Sequence, residues 1–257
     1  MPDLSGKHGL IVGVANKRSI SWAIAQAAAA AGARLALTYQ GERLEENVRE
    51  LSDTLGSAIV MPLDVTDDQQ IADVAAGIDR EFGGLDFLLH GAAFAPKSEL
   101  DNPFVQTSRE GFRIALDVSA YSLIALTRAV APLMERRGGG SVVTLTYLGS
   151  QRVITNYNVM GVAKAALEAC VRYLAGDLGP SNIRVNAVSA GPVKTLAAMG
   201  IKDFSSVRQV YGERTPLRRN VELAEIADAA LFLLSPDSRA VTGEILFVDA
   251  GFHVVGF

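Results

Sequence analysis

The chain has 257 residues, enough for one large α/β domain or two small ones, and its 49% hydrophobic and 20% charged residues exclude a disordered or fibrous protein. A net charge of −4 without a basic run speaks against nucleic-acid binding. The single cysteine, Cys170, excludes an internal disulfide and a cysteine metal cluster; with no signal peptide and no stretch of about 20 apolar residues, we expect a soluble, cytoplasmic protein without metal or membrane contact.

Short apolar runs alternate with amphipathic stretches along the chain. The apolar runs predict strands at 8–14, 34–39, 58–65, 85–93, 141–147, 183–190 and 244–249. The amphipathic stretches predict helices at 20–31, 42–55, 68–82, 107–136, 159–178 and 224–234. Apolar strands separated by helices are typical of a parallel sheet covered on both faces. The sequence therefore predicts an α/β fold: a single doubly wound (Rossmann) domain over residues 1–257, with about seven parallel strands and helices on both faces.

Two stretches interrupt this alternation, 94–106 after the fourth strand and 191–219 after the sixth. Both follow the carboxyl ends of strands, where open α/β sheets bind ligands. We expect both to form substrate walls, with the apolar residues of 192–219 folded over the groove as a lid. Ordinary core packing of these residues is the alternative.

The first strand runs into Gly13-Val14-Ala15-Asn16-Lys17-Arg18-Ser19-Ile20 and a helix. A glycine at the strand exit lets the backbone approach a pyrophosphate, and the helix N-terminus supplies amide donors. Because this is not G-x-G-x-x-G, a tight turn with Ser19 as helix cap explains it about equally well. The other strand ends favour a dinucleotide groove, whose expected residues are Gly13, Ser19, Ile20, Gln40, Asp64, Val65, Gly91, Ala92 and Ala93.

Gln40 stands where a carboxylate for a ribose 2′-hydroxyl is expected. It is neutral and offers no cation to a 2′-phosphate, which favours NADH; Arg18 and Arg43 keep NADPH open. Asp64 would accept hydrogen bonds from adenine or nearby amides, or would cap the next helix. His90 is expected at this groove, without the spacing of a metal site.

Tyr157 and Lys164 are seven residues apart, at the start of a predicted helix. Seven residues of α-helix turn by about 700° and rise about 10.5 Å, so the two side chains should share one face. A nearby ammonium makes a phenol easier to ionise and a better donor to a developing oxyanion. An interfacial tyrosine beside a solvated lysine is the alternative.

Residues 147–168 resemble the active-site stretch of bacterial enoyl-acyl-carrier-protein reductases, a branch of the short-chain dehydrogenase/reductase family. They read Tyr-Leu-Gly-Ser at 147–150 and Asn-Tyr-Asn-Val-Met-Gly-Val-Ala-Lys-Ala-Ala-Leu-Glu at 156–168. Ordinary members of the wider family separate Tyr and Lys by three residues and carry a catalytic serine on strand five, whereas six residues intervene here and Tyr147 stands near that strand end. Further similar segments lie at 13–20, 94–96, 184–193, 200–204 and 242–251.

The resemblance implies an NAD(P)H-dependent reduction of the carbon–carbon double bond of trans-2-enoyl thioesters in fatty-acid elongation. Hydride would go to the β-carbon, and Tyr157 would donate a hydrogen bond to the thioester oxygen, where charge collects. Lys164 would bind the nicotinamide ribose and Tyr147 would position the thioester. The resemblance adds Pro192, Val193 and Thr195 on the cofactor side, and Phe94, Ala95, Met160, Ala197, Ile201 and Phe204 on the substrate side.

The implied partners are an acyl-carrier protein and further copies of the chain in a homotetramer. Residues 191–220 carry six basic and two acidic side chains, so an acidic carrier could dock there, although a solvated, internally paired face explains the excess equally well. The apolar tail 252–257 suggests burial against a neighbouring subunit. Two other functions stay open, a carbonyl reductase or alcohol dehydrogenase on the same fold and a dinucleotide-binding module without turnover.

Overall fold

A seven-stranded parallel sheet forms the centre of the molecule. The computed structural model describes residues 2–56, 58–199 and 204–256, and only the backbone of residues 196 and 197. The strands are β1 (His8–Val12), β2 (Arg34–Tyr39), β3 (Ile59–Pro62), β4 (Phe87–His90), β5 (Gly140–Thr146), β6 (Ile183–Ala190) and β7 (Ile245–Val248). Their order in the sheet is β3-β2-β1-β4-β5-β6-β7, and every neighbouring pair is parallel. The predicted doubly wound fold is confirmed.

Helices connect the strands throughout the part of the chain that the structure describes. They are α1 (Ile20–Ala30), α2 (Glu42–Asp53), α3 (Asp68–Phe82), α4 (Lys97–Asp101), α5 (Arg109–Leu116), α6 (Ser122–Glu135), α7 (Asn158–Leu178), α8 (Leu196–Met199), α9 (Phe204–Arg214) and α10 (Leu223–Leu234). A π-helical turn, Asp117–Tyr121, joins α5 to α6.

Two apolar cores lie on the opposite faces of the sheet. One combines Leu10 and Leu88 of the sheet with side chains of α3, α6 and α7. The other combines Ile11 and Leu89, the next residue on each of the same strands, with side chains of α1, α2 and α10. Because successive strand residues point to opposite faces, strands that are apolar at every position bury both sides. The apolar runs of the central strands follow from this arrangement, whereas the edge strands β3 and β7 are only partly buried.

The boundaries differ from the prediction at the carboxyl ends of the strands. β1, β3 and β4 end two or three residues early, because the backbone turns away there to form the ligand edge of the sheet. The helix predicted over 107–136 is divided by the π turn, and the two excursions contain α4, α8 and α9, which the prediction lacked. Tertiary contacts form such short helices, since helices this short are unstable alone.

One helical run, Arg109–Glu135, contains an apolar stretch of 18 residues with a mean hydropathy of 1.5, so it could cross a membrane by length and composition, contrary to the expectation that no stretch would be. However, 56% of this apolar stretch is buried inside the fold, where Leu123 and Leu126 belong to the core under the sheet. A core helix of this kind passes the same test, so the run is weak evidence for a membrane segment.

Candidate active site

A largely apolar cavity of about 420 Å³ opens at the carboxyl ends of β4, β5 and β6. It brings together three parts of the chain that are far apart in sequence: the loop after β4, the start of α7 and the excursion after β6. Its lining includes Ile20, Ala93, Phe94, Ala95, Tyr147, Tyr157, Met160, Lys164, Pro192, Val193, Thr195 and Phe204, all of which the sequence placed at a cofactor or substrate site.

Tyr157 and Lys164 both line this cavity, and both side chains are buried. Tyr157 stands immediately before α7, which begins at Asn158, and Lys164 lies in the second turn of the same helix. The spacing argument for a common face is therefore confirmed. The alternative of a solvated lysine does not hold.

Two glycines explain how the Tyr157 ring reaches its position. A Cβ on Gly149 would lie 2.4 Å from the Tyr157 ring, and one on Gly161 would lie 2.7 Å from the Gly149 carbonyl oxygen. Contacts this short do not occur for real Cβ atoms, so only glycine permits the turn after β5 to pack against the start of α7. This close approach places the ring at the cavity wall.

The pKa of Tyr157 is raised well above its usual value, first by burial and then by the neighbouring Tyr147 and Glu168. The expectation that Lys164 makes this phenol easier to ionise is therefore wrong. The Lys164 ammonium instead donates a hydrogen bond to the Leu145 carbonyl oxygen, at 2.8 Å. Tyr157 consequently keeps its proton at neutral pH and presents a hydrogen-bond donor to the cavity.

Lys164 is an ammonium group in an apolar surrounding. Burial lowers its pKa from 10.5 to about 8, and the Glu168 carboxylate, one helical turn later, opposes the shift. Glu168 is itself buried and accepts hydrogen bonds from the Thr146 and Ser150 hydroxyls, at 2.7 and 2.6 Å. The negative charge that supports Lys164 is thus fixed in place by the end of β5 and the turn after it.

Tyr147 follows β5 directly, and its ring meets the Tyr157 ring edge-on, with 5.0 Å between the centroids. Its hydroxyl oxygen lies 3.0 Å from that of Tyr211 on α9. Tyr211 was absent from the sequence-based site. A tyrosine in a mostly polar helix, 64 residues from its partner, gives no pattern that could have revealed it.

The ends of β1 and β4 meet in a close backbone contact at the predicted nucleotide groove. Gly13 has φ +95°, and a Cβ on it would lie 2.5 Å from the Gly91 carbonyl oxygen. A Cβ on Gly91 would meet the Ser21 hydroxyl at 2.2 Å. This floor of bare backbone beside the start of α1 is what a dinucleotide needs in order to approach a sheet closely, and the residues present fit one.

Ser19 occupies the N-cap position of α1, but its hydroxyl does not cap the helix. It accepts hydrogen bonds from the Ala15 and Asn16 amides, both at 3.1 Å, and so shapes the loop that precedes the helix. The same loop therefore forms a tight turn and borders the groove.

Gln40 and Asp64 lie together at the ends of β2 and β3, where the Gln40 amide donates to the Asp64 carboxylate at 3.3 Å. Burial raises the pKa of Asp64, but hydrogen bonds from Thr66 and Gln40 outweigh it, so the pKa is lowered and the carboxylate is charged. The suggestion that Asp64 caps the next helix is wrong, because Asp67 accepts from the Gln69 and Gln70 amides. Val65 is buried beside it.

His90 does not face the groove, contrary to expectation. It is fully buried, with Nδ1 2.8 Å from the Thr144 hydroxyl and Nε2 2.8 Å from the Ser122 hydroxyl. Burial, followed by the charge of Lys164, lowers its pKa to about 3, so the ring is neutral. Its hydrogen bonds tie the end of β4 to β5 and α6. Among the described residues, no group of three or more His, Cys, Asp or Glu could hold a metal ion.

The substrate walls are partly as predicted. Phe94 is 55% exposed at the cavity, and its backbone amide donates to the buried Ser119 hydroxyl in the π turn. Ile201 lies outside the described residues, and of Ala197 only the backbone is described, within α8. The cavity is also lined by residues that were not among the predicted site residues: Lys97, Leu100, Thr146, Ile154, Thr155, Ala190, Gly191, Ala198 and Val207.

Two other expectations stay predictions, to which the structure adds detail. Phe252, in the apolar tail, stacks on Tyr211 of its own chain with 3.6 Å between the centroids and is partly buried by that contact. The basic excess of 191–220 is partly paired, since Arg219 forms an ion pair with Glu225 and Arg208 donates to the Pro192 carbonyl oxygen. Lys194 and Arg214 are exposed.

The comparisons with known proteins agree with this geometry. A family model described as Enoyl-(Acyl carrier protein) reductase matches residues 13–253. The enoyl-acyl-carrier-protein reductase (NADH) FabI of Rickettsia typhi is 51% identical over 253 residues, which cover 98% of this chain and 96% of that protein.

Two solved structures share the fold. The Bacillus cereus enoyl-acyl carrier protein reductase, crystallised with NADP+ and indole naphthyridinone, has a TM-score of 0.97, 50% identity and full coverage of both chains. The Anaplasma phagocytophilum enoyl-acyl-carrier-protein reductase in complex with NAD has a TM-score of 0.95 and 46% identity, covering 99% of this chain and 96% of that one. With this fold, this cavity and these relatives, the chain belongs to the enoyl-acyl-carrier-protein reductase family.

Proposed function

We propose that the chain reduces the carbon–carbon double bond of trans-2-enoyl thioesters carried by an acyl-carrier protein, with NADH, in fatty-acid biosynthesis. The observation that carries the proposal is a protonated, buried Tyr157 beside Lys164 in an apolar cavity. An apolar cavity suits an acyl chain, and a phenol that keeps its proton suits an oxygen on which negative charge develops. The relatives' names support the same reaction and the same dinucleotide.

The bound dinucleotide supplies a hydride for the β-carbon of the enoyl group. Tyr157 donates a hydrogen bond to the thioester oxygen, where the negative charge of the enolate collects. Lys164 is the ammonium that binds the ribose hydroxyls and adds positive potential at this end of the cavity. Tyr147, in edge contact with Tyr157, positions the thioester, while Phe94, Ala95, Met160 and Phe204 exclude water from the acyl chain.

The cofactor-side residues divide into two groups. Gly13, Gly91 and Ser19 form the backbone floor and loop for the diphosphate, and Gln40 with Asp64 receives the adenosine end. Gln40 is neutral and already bonded to a carboxylate, which disfavours a 2′-phosphate and supports NADH over NADPH. The groove is completed by Ile20, Val65, Ala92, Ala93, Pro192, Val193 and Thr195.

The remaining parts of the proposal concern partners and location. Exposed Lys194 and Arg214 give an acidic carrier a basic surface beside the cavity. Val254, 69% exposed in the apolar tail, supports self-association into a homotetramer. The lone, half-buried Cys170 is compatible with the reducing cytoplasm. Light scattering of the purified chain tests the tetramer, since a monomeric mass contradicts it.

The experiment follows NADH oxidation with a trans-2-enoyl thioester and, separately, with a 3-oxoacyl thioester, each on acyl-carrier protein. We expect turnover with the enoyl substrate, faster with NADH than with NADPH. Consumption of NADH with the 3-oxoacyl substrate alone would establish a carbonyl reductase instead. Tight NADH binding without turnover on either would establish a binding module. Tyr173→Phe, which removes the hydroxyl of a residue that is 79% exposed on α7, is the matched control for variants of Tyr147 and Tyr157.

A further inference from the structure

Tyr211 is the one buried side chain of α9, a helix whose residues the structure describes completely. It is 3% exposed, although its helix belongs to the excursion that covers the cavity. It is not among the described residues that line the cavity. Any effect of Tyr211 on the substrate must therefore pass through another residue.

The ring and the hydroxyl of Tyr211 each have a contact of their own. The ring stacks on Phe252, with an interplanar angle of 14°, and the hydroxyl reaches the Tyr147 hydroxyl at 3.0 Å. Behind the stack, the Asp249 carboxylate accepts from the Gly251 and His253 amides and so holds the turn that carries Phe252. The segment after α9 is fastened to the same turn, because the Leu217 amide donates to the Ala250 carbonyl oxygen. The Tyr211 hydroxyl is thus presented to Tyr147 from a fixed base.

The 3.0 Å between the two hydroxyl oxygens fits a hydrogen bond in which either tyrosine could be the donor. The pKa of Tyr211 is raised, first by burial and then by Tyr147 and Asp249. The pKa of Tyr147 is also raised, because burial outweighs the opposing effect of the hydrogen bond with Tyr211. A phenol that accepts a hydrogen bond becomes a stronger donor itself, because neighbouring bonds polarise one another. With Tyr211 as the donor, Tyr147 has its own proton free for the cavity.

We propose that Tyr211 is a positioning residue: its hydroxyl donates to Tyr147, fixes the direction of the Tyr147 hydroxyl and links the covering helix α9 to the thioester site. The inference rests on the proposed function, in which Tyr147 positions the thioester. It assigns to α9 a part in catalysis besides covering the acyl chain. When an acyl chain displaces α9, the Tyr147 hydroxyl should lose this orientation. The turnover rate should therefore depend, through this hydroxyl pair, on how well the acyl chain fits under α9.

The test is a double-mutant cycle of Tyr211→Phe and Tyr147→Phe in the full-length enzyme. Phenylalanine keeps the stack on Phe252 and removes only the hydroxyl. We expect Tyr211→Phe to lower kcat about five- to tenfold, the effect of one net hydrogen bond, with NADH affinity changed less than about twofold. The double variant should be no slower than Tyr147→Phe within about twofold, because Tyr211 acts only through Tyr147.

Two controls separate positioning from support of the fold. Tyr173→Phe should keep wild-type kcat. Phe252→Leu disturbs the stack and leaves both hydroxyls, so a loss of kcat equal to that of Tyr211→Phe, with additive effects in the cycle, would overturn the positioning role.

The outcomes also separate this inference from the proposed function. Wild-type turnover with additive hydroxyl effects overturns the role of Tyr211 and leaves the reductase intact. A wild type that turns over no enoyl thioester overturns the proposed function. In that event the same cycle, measured as free energies of unfolding, decides the hydroxyl pair: coupling supports it and additivity overturns it.

Discussion

Replacing Gly13 by alanine is expected to weaken NADH binding at least tenfold and to destabilise the fold. Gly13 has φ +95°, where an L side chain costs about 1–2 kcal/mol. The new Cβ would also lie 2.5 Å from the Gly91 carbonyl oxygen, whereas real Cβ atoms keep at least 3.0 Å. The ends of β1 and β4 must therefore separate by about half an ångström, at a cost of about 1–3 kcal/mol for overpacking.

The two costs add to about 2–5 kcal/mol. The overpacking cost arises at the contact with Gly91, which forms the backbone floor of the groove. A loss of about 1.4 kcal/mol in binding is a factor of ten in affinity. The measurements are urea unfolding without dinucleotide and an NADH fluorescence titration.

Gly83→Ala is the matched control. Gly83 has φ +69° at the end of α3, and no described atom lies within 4 Å of the position of its Cβ. This variant should pay the backbone strain alone and bind NADH normally. Equal losses of unfolding free energy in the two variants, with NADH affinity unchanged in both, would refute the argument that the contact between Gly13 and Gly91 shapes the groove.

The other predictions concern the buried ionisable groups. Tyr157→Phe should lower kcat about 100- to 1000-fold, as the loss of an oxyanion donor does, with a smaller effect on NADH affinity, whereas Lys164→Ala should harm both; equal, negligible effects would reject these roles. Lys164 is protonated below its pKa of about 8, so NADH affinity should fall as the pH rises through 8, and Glu168→Gln should move that fall to lower pH; an unmoved profile would exclude the carboxylate. His90 has a pKa of about 3 in the fold and 6.5 when unfolded, so the unfolded chain binds the proton first. The free energy of unfolding, measured with urea, should then decrease as the pH falls from 6.5 towards 3, by up to about 1.4 kcal/mol per pH unit. The decrease should be smaller in His90→Gln.

The sheet could be predicted because strands buried on both faces need apolar residues at every position. The four residues of β4 are apolar except for the last, His90, and that exception misled the interpretation. The His90 side chain points into the core on one face of the sheet, where the Thr144 and Ser122 hydroxyls form hydrogen bonds with both ring nitrogens. At the end of a strand, the alternation of side chains does not show whether a residue faces the groove or the core. The π turn and the short helices α4 and α8 have no periodicity of their own to read.

The same distinction applies to the site. Tyr157 and Lys164 could be placed together because a regular helix fixes the geometry of residues seven apart. Tyr211 could not, because its contact with Tyr147 depends on how the excursion after β6 folds back over the sheet. Glu168 is one turn from Lys164 and could have been predicted from the spacing, but its burial depends on Thr146 and Ser150. Local periodicity thus predicts pairs on one element and misses pairs between elements.

The π turn Asp117–Tyr121 makes the fold sensitive to the number of residues between α5 and α6. Such a turn holds one residue more than an α-helical turn, and each residue of a helix advances the direction of its side chains by about 100°. The extra residue therefore sets the angle between Ala115 of α5, which packs on α7, and Leu123 of α6, which packs under the sheet. A deletion of one residue here would leave an unbroken helix but rotate one half against the other, withdrawing Ser119 from the loop at Phe94. Insertions and deletions, more than substitutions, are what this wall of the cavity cannot tolerate.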